Sequence, residues 1–475
     1  MSPGAGRPGQ PRRPRQDGLP FALLDELACY HHAPAEPNNV HIEALVPGHL
    51  DEGALRQAVA GAIAAAPRAS GRMAAGGALR CRYRWEFPAV PDVDPVSRAT
   101  FAGEDELVAI RDRFLAEAPP LRTSPPVRVL LAAGPGESCV ILNAHHAALD
   151  GLSSLGLLRD IAARYQAVID LAVPGPKVPV PSAGRPAPTQ AGQALASRPP
   201  NRSLARVLRR YPSARIAADP GRRGRPGGHG VRLLLLPAVP RPPSGATVTD
   251  VLVATLIATV ASWNAAHRRV PRTIAISVPV SVRAPGLPAV GGNHTRTVTV
   301  TISPRTAAGQ PSALLAEVSR QLSATRQARP RKTSAGVLDA MPGWCPVALK
   351  RLALRVAMRT IGPVVCDTTM LSNLGNITGP RWPGPGGPAR IAFSSPVHMP
   401  RGLAVSVVTA DGQLQAAFRY LYAVLDDAAA ARLAEIFAAA LEEFTDVEGD
   451  AHGLAGRAAG DPRLPSRQGR PAVPR

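Results

Sequence analysis

The sequence predicts a mixed-sheet α/β protein, with α+β character, built as two similar-sized domains. Three observations lead there. The chain has 475 residues, 45% of them hydrophobic, more than one core usually absorbs, because single cores stop growing near about 250 to 300 residues. Strand-spaced and helix-spaced apolar segments follow one another in mixed order through both halves, with no βαβ repeat and no glycine-rich phosphate loop after a strand. A Pro/Gly/Arg-rich stretch, 174–230, separates the halves and reads as linker.

The elements follow in order. "NNVHIEALV" (Asn38 to Val46) puts Val40, Ile42, Ala44 and Val46 on one face, which is strand spacing. In "DEGALRQAVAGAIAAA", Asp51 is a helix N-cap and Leu55, Val59, Ala62 and Ile63 fall at helical spacing before Pro67. "VRVLLAAGPGESCVILNAHH" folds as a hairpin about Gly134-Pro135-Gly136, so its second strand delivers two histidines. A helix then runs to about Ile169. After the linker, Thr247 with Asp250 forms a capping-box variant that opens an apolar helix. Strands are expected at "TIAISVPVSVR", "TRTVTVTIS" and "DTTMLSNLGNI", with a partly helical stretch from Pro311 to Met358 between the last two. Asp411-Gly412 marks a hairpin, and a final helix spans roughly Asp426 to Phe444. The divisions are a disordered basic tail (1–18), a first half (19–173), the linker (174–230), a second half (231–447) and a disordered tail (448–475).

The net charge of +21 sits mostly outside the expected folded halves. Residues 1–17 carry four Arg and one Asp, 174–230 eleven Lys/Arg and one Asp, and 449–475 five Arg and two Asp. That distribution argues against a dedicated nucleic-acid surface, and leaves weak, salt-sensitive association with acidic partners. Five cysteines without CxxC spacing (Cys29, Cys81, Cys139, Cys345, Cys366) point to a reducing compartment, the cytoplasm, and away from a zinc or disulfide framework. No signal peptide or transmembrane segment is read from the sequence.

Asn143 to Gly151, "NAHHAALDG", concentrates the chemistry. His145, His146 and Asp150 are suitable metal ligands, but neighbouring residues on a strand face opposite ways, so no metal site is expected. A hydrolytic nucleophile would need a Ser or Cys on a sharp turn; no GxSxG occurs, and Ser153 and Ser154 read as helix-end caps. One histidine at a strand end suffices as a general base if the substrates supply nucleophile and electrophile. The remaining reading is a buried histidine pair beside an Asp-Gly turn. Against it, the HHxxxDG spacing arises by chance in roughly one such chain in a thousand.

"HHAALDG" matches the HHxxxDG motif, and through it the chain resembles the condensation-domain and chloramphenicol-acetyltransferase-like acyltransferase superfamily. "PFALLDELACYHH" resembles that family's opening segment. "GATVTDVLVATLIATV", "VPVSVR", "GGNHTRTVTV" and "LSNLGNI" resemble later segments in the same order. The resemblance covers about residues 19 to 447 apart from the linker. It implies two chloramphenicol-acetyltransferase-like domains in a V arrangement with the active site between them. It also implies an acyl transfer needing no cofactor of its own, the phosphopantetheine or CoA arriving with the acyl donor. His146 would be the general base and His145 its support. Asp150 would be architectural and pair with Arg283, and Gly151 would serve the turn, where a Cβ would crowd the backbone. Ser372 and Asn373 would line the oxyanion region, or else form an Asn-stabilised strand-end turn. Cys29, His31 and His32 cluster near the opening segment and read as ordinary fold residues ahead of pocket-lining ones; His294 and His398 face the tunnel or merely cap strands; Cys345 and Cys366 read as buried thiols.

The expected partners are an acyl-CoA or a carrier protein as donor, reached in trans, and a small alcohol or amine as acceptor, in specialised metabolism or lipid assembly. Three rivals stand beside this. One is a wax ester or diacylglycerol acyltransferase using long-chain acyl-CoA. Another is a catalytically silent condensation-like protein that docks a carrier protein. The third is a basic protein that binds nucleic acid through its Arg-rich segments.

Overall fold

Two large sheets, with a small three-stranded one in the first half, carry the two halves in the computed structural model, which describes residues 18–30, 35–77, 79–172, 212–221, 227–242, 245–283, 291–327, 343–383 and 388–458. The first half runs β1 (Leu19–Pro20), α1 (Leu23–Tyr30), β2 (Asn39–Pro47), α2 (Glu52–Ala65), α3 (Pro67–Ser70), β3 (Arg72–Met73), β4 (Arg84–Glu86), β5 (Val96–Thr100), α4 (Glu104–Leu115), β6 (Val127–Gly134), β7 (Glu137–His145) and α5 (Gly151–Ala172). The second runs β8 (His229–Pro237), α6 (Val248–Ala266), β9 (Ile274–Ser281), β10 (Thr295–Ile302), α7 (Pro304–Ala307), α8 (Pro311–Gln327), α9 (Val347–Thr360), α10 (Gly362–Val365), β11 (Thr369–Ile377), β12 (Arg390–Ser394), β13 (Leu403–Ala410), β14 (Gln413–Leu421) and α11 (Asp427–Ala458).

The first sheet has the order β12-β2-β7-β6-β5 and is mixed, since β5 runs parallel to β6. Its strands alternate between two cores. Val40, Ile42 and Leu142 pack with Leu55, Val59 and Ile63 of α2 and Leu155, Leu158 and Ile161 of α5. Cys139 and Ile141 face the other way, onto Leu107 of α4. Asp51 Oδ1 accepts the Ala54 amide at 2.7 Å, which starts α2 where the sequence places it.

The second sheet has the order β10-β9-β11-β13-β14-β8, with β11 parallel to both β9 and β13. The capping box of α6 is formed: Thr247 N donates to Asp250 Oδ2 at 2.9 Å and Asp250 N to Thr247 Oγ1 at 3.3 Å. Among the described residues α6 is the one helix long and apolar enough to cross a membrane. Here Leu252, Val253, Leu256, Ile257 and Val260 are fully buried in the core it shares with α8 and α11. Asp411 and Gly412, both at positive φ, turn β13 into β14.

Three features depart from the sequence reading. Strand β12, from the second half, leaves its own sheet and pairs antiparallel with β2 of the first. Within the stretch read as linker, Ala214, Ile216 and Ala217 belong to the second core, Trp263 Nε1 donates to Ala217 O at 3.0 Å, and β8 already begins at His229. The apolar "ARIA" run inside an Arg-rich stretch is what the core takes up; most of the rest of 174–230 lies outside the described residues. Helix α11 continues to Ala458, into the stretch read as tail. Residues 1–17 and 459–475 lie outside the described residues.

Candidate active site

Strand β7 ends at His145, and the alternation of its side chains separates the two histidines. His145 is buried; its Nδ1 accepts the Ala147 amide at 3.0 Å, and its carbonyl takes the amides of Ala148 and Leu149 at 2.8 and 3.3 Å. It shapes the turn. His146 is the partly exposed one, with its own amide donated to Asn38 O at 2.9 Å and its Nδ1 3.4 Å from Leu149 O. Burial pulls the His146 pKa below the usual histidine value, while the nearby charges of Asp150 and, more weakly, Asp25 act in the opposite direction.

Asp150 is a four-way acceptor. Oδ1 takes the Ser153 amide at 2.7 Å, capping α5, and Oδ2 takes the His294 amide at 3.1 Å. Arg283 Nη2 lies 3.2 and 3.3 Å from the two oxygens and donates to Ser153 Oγ at 2.9 Å. The cap and the cross-lobe ion pair therefore share one carboxylate. Gly151 follows without a positive φ. A Cβ there would stand 2.8 Å from the Phe393 ring and 3.0 Å from Leu374, so this glycine admits side chains of β12 and β11 instead of sparing the backbone, as the sequence reading had it.

A short segment of the second half, Gly292 to His294, lies on the histidine turn. Leu149 bridges Gly292 in parallel, and Ser153 Oγ donates to Gly292 O at 3.2 Å. Asn293 Nδ2 donates at 2.8 Å both to His146 O and to Asp25 Oδ1. Asp25, in α1, is fully buried, and Arg68 Nη1 stands 3.3 Å from its other oxygen. Burial raises the Asp25 pKa, with Arg68 the main opposing charge. Asn293 Oδ1 and Ser154 Oγ are buried with no hydrogen-bond partner among the described residues. Asp25 and Asn293 fall in segments that the family resemblance spans, but no local signal in the sequence gives either of them, or Arg68, a role.

Ser372 and Asn373, neighbours in sequence, are split by β11. Asn373 Nδ2 donates to Thr249 Oγ1 at 3.1 Å and its Oδ1 accepts the Gly375 amide at 2.7 Å, the contacts of a strand-end turn. It lines a cavity of about 230 Å³ between α6, α8 and the β9–β10 hairpin, with Val280, Arg296, Val298 and Leu322. Ser372 is buried on the opposite face of the strand, between Met370 and Leu374.

The remaining candidates have other duties. Cys29 is a buried thiol with its pKa raised by burial, Cys345 is buried and Cys366 partly so, and none is bonded to another cysteine. His294 joins the site through its backbone, and His398 lies 3.6 Å from Glu36 and 3.4 Å from Asn38 Oδ1. His31 and His32 lie outside the described residues. Among the described residues no group of three His, Cys, Asp or Glu side chains could hold a metal ion.

No protein-family model matches the chain. Two curated proteins, both described as uncharacterized, from Mycobacterium tuberculosis strains H37Rv and CDC 1551, are each 29% identical over 430 residues, spanning 84% of this chain and 94% of the relative. The first condensation domain of the calcium-dependent antibiotic synthetase, in complex with a substrate analogue, superposes with a TM-score of 0.62 at 18% identity, covering 91% of this chain and 97% of that one. A mutant starter condensation domain of rhizomide synthetase, in complex with C8-CoA and Leu-SNAC, gives 0.58 at 12% identity, with coverage of 90% and 94%. An epimerization domain of tyrocidine synthetase B gives 0.54 at 14%, with 91% and 98%. With its mixed sheets, its strand exchanged between halves and its histidine turn seated against the second half, the chain has the two-lobed fold of the condensation domains.

Proposed function

We propose that this protein is a condensation-type acyltransferase, moving an acyl group from a CoA or carrier-protein thioester to an alcohol or amine, with His146 as general base. The observation that carries the reading is the placement of His146. Its imidazole is partly exposed where the lobes meet, while its main chain is fixed from both lobes, by Asn38 O and by Asn293 Nδ2.

A proton on Nδ1 faces the Leu149 carbonyl and leaves Nε2 to accept. Nε2 takes the proton of the acceptor hydroxyl or amine as its heteroatom attacks the thioester carbonyl. The tetrahedral oxyanion then collapses, the C–S bond breaks, and the imidazolium returns the proton to the departing thiolate. A lowered pKa keeps His146 neutral, hence basic, at neutral pH. Ser154 Oγ and Asn293 Oδ1, buried and unpartnered beside the histidine turn, are suited to meet polar groups of a bound substrate. Ser372 remains a candidate for the oxyanion region, whereas the Asn373 amide is already engaged. The rhizomide synthetase domain bound to C8-CoA and Leu-SNAC supports a thioester donor and an amine-type acceptor. Asp150, Gly151, Arg283 and His145 hold the turn in this scheme.

The test is free-thiol release from short to long acyl-CoA and acyl-pantetheine donors with alcohol and amine acceptors, comparing the native protein with His146→Ala. Release that requires both the acceptor and His146 supports the reading. Release that persists in His146→Ala refutes the assignment of the base.

A further inference from the structure

Large exposed apolar side chains cluster on one part of the second half. Trp344, Leu349, Leu352, Val356, Ile361 and Val364 all fall between positions 344 and 364. Helix α9 packs inward through Val347, Lys350 and Leu354, with Lys350 Nζ donating to Cys81 O at 2.8 Å. The helical period then places Leu349, Leu352 and Val356 in one outward stripe on the other side. Arg355 and Arg359 are exposed beside that stripe. Ile361 and Val364 continue the apolar surface past the helix end, and the exposed Met399 adjoins it through Pro400, which lies against Gly362.

Charge identifies the occupant. From Gly343 to Cys366 the sequence contains four Lys/Arg and no Asp or Glu, and neither Arg355 nor Arg359 is within ion-pair distance of an acid among the described residues. A patch of this kind marks an interaction surface. An apolar stripe edged by arginines, with an exposed tryptophan at one end, matches the layering of an anionic bilayer, where acyl chains receive the leucines and headgroup phosphates the guanidinium groups. We propose that the face formed by α9 and α10 seats the protein on an anionic lipid surface. This does not depend on the acyl-transfer reading.

The experiment is co-sedimentation of the full chain with vesicles of phosphatidylcholine alone and of phosphatidylcholine mixed with phosphatidylglycerol. Binding is expected to the mixed vesicles only, weakened by salt, with a blue shift of the tryptophan emission that Trp344→Phe abolishes. The double variant Leu352→Glu, Val356→Glu should lose about tenfold or more in affinity, and Arg355→Glu, Arg359→Glu likewise, each with an unchanged melting temperature. Equal vesicle binding by the native protein and the Leu352/Val356 variant would overturn the proposal, because the basic segments elsewhere would then be doing the binding. So would failure to bind mixed vesicles at low salt, or a native dimer that the same variant splits, which would assign this face to a second copy.

Discussion

Arg283 Nη2 stands 3.2 and 3.3 Å from the two carboxylate oxygens of Asp150, joining a strand end of one lobe to the helix cap of the other. The side chains are 11% and 3% exposed, so either one left alone is a poorly hydrated charge. Removing one member of such a pair commonly costs about 3 to 5 kcal/mol. Asp150→Ala is expected to fall in that range by denaturant titration, and Arg283→Ala to approach it. A soluble, normally melting but inactive Asp150→Ala protein would contradict this and give Asp150 a direct part in the chemistry.

His146→Ala should behave oppositely. Among the described residues the imidazole's one hydrogen-bond contact with another residue is long, 3.4 Å to Leu149 O, so its loss should leave the melting temperature nearly unchanged. Turnover should drop by about 10² to 10⁴, the usual worth of a positioned general base. The check is acyl transfer and thermal melting on the same preparation.

The His146 pKa is lowered from the ordinary histidine value, chiefly by burial. The base form therefore persists into acid, and the acid limb of kcat/KM should have its midpoint below about 6.5. Asp25, whose charge works to raise that pKa, supplies a second arm. Asp25→Asn should move the limb to still lower pH, whereas a purely structural role would change stability and leave the midpoint in place.

His229 is pressed between the lobes, its Nε2 2.9 Å from Arg419 Nη2, and its pKa is lowered to about 2 by burial first and Arg419 second. The unfolded chain binds a proton there below about 6.5 and the folded chain does not, so stability is full above 6.5 and is lost as pH falls toward 2. The slope is about 1.4 kcal/mol per pH unit for one such group. His229→Gln should flatten the stability profile in that window by about one proton's worth, measurable by urea titration at a series of pH values.

Gly151→Ala would bring a methyl to 2.8 Å from the Phe393 ring. Overpacking of this kind costs about 1 to 3 kcal/mol. Adding Phe393→Leu should recover part of the loss, and strictly additive effects in the double variant would show that the two residues do not meet.

What could be read from the sequence was what rests on local chemistry or fixed spacing. Asp51 and the Thr247/Asp250 box start helices by contacts within one turn, and Asp411-Gly412 needs only the positive φ both adopt. Long-range placement was not legible. Asp25 and Asn293 meet across 268 positions, and nothing in the composition of α1 marks its aspartate as buried. Gly151 looked like a turn residue because Phe393, the ring it makes room for, lies on a strand whose five residues carry no sign of which sheet they join. Ser372 and Asn373 read as a pair, and only the pleat of β11 sends them apart.

The exchanged strand β12 has a further consequence for how the protein can be taken apart. If the chain were severed before Arg390, β2 would lose its partners from His41 to Leu45 and expose a row of bare amides and carbonyls, a ready template for pairing with other molecules. Halves produced separately are therefore expected to precipitate, and halves produced together to reassemble. In the intact chain the same five-pair ladder ties the two halves together at the corner of β2 and β12.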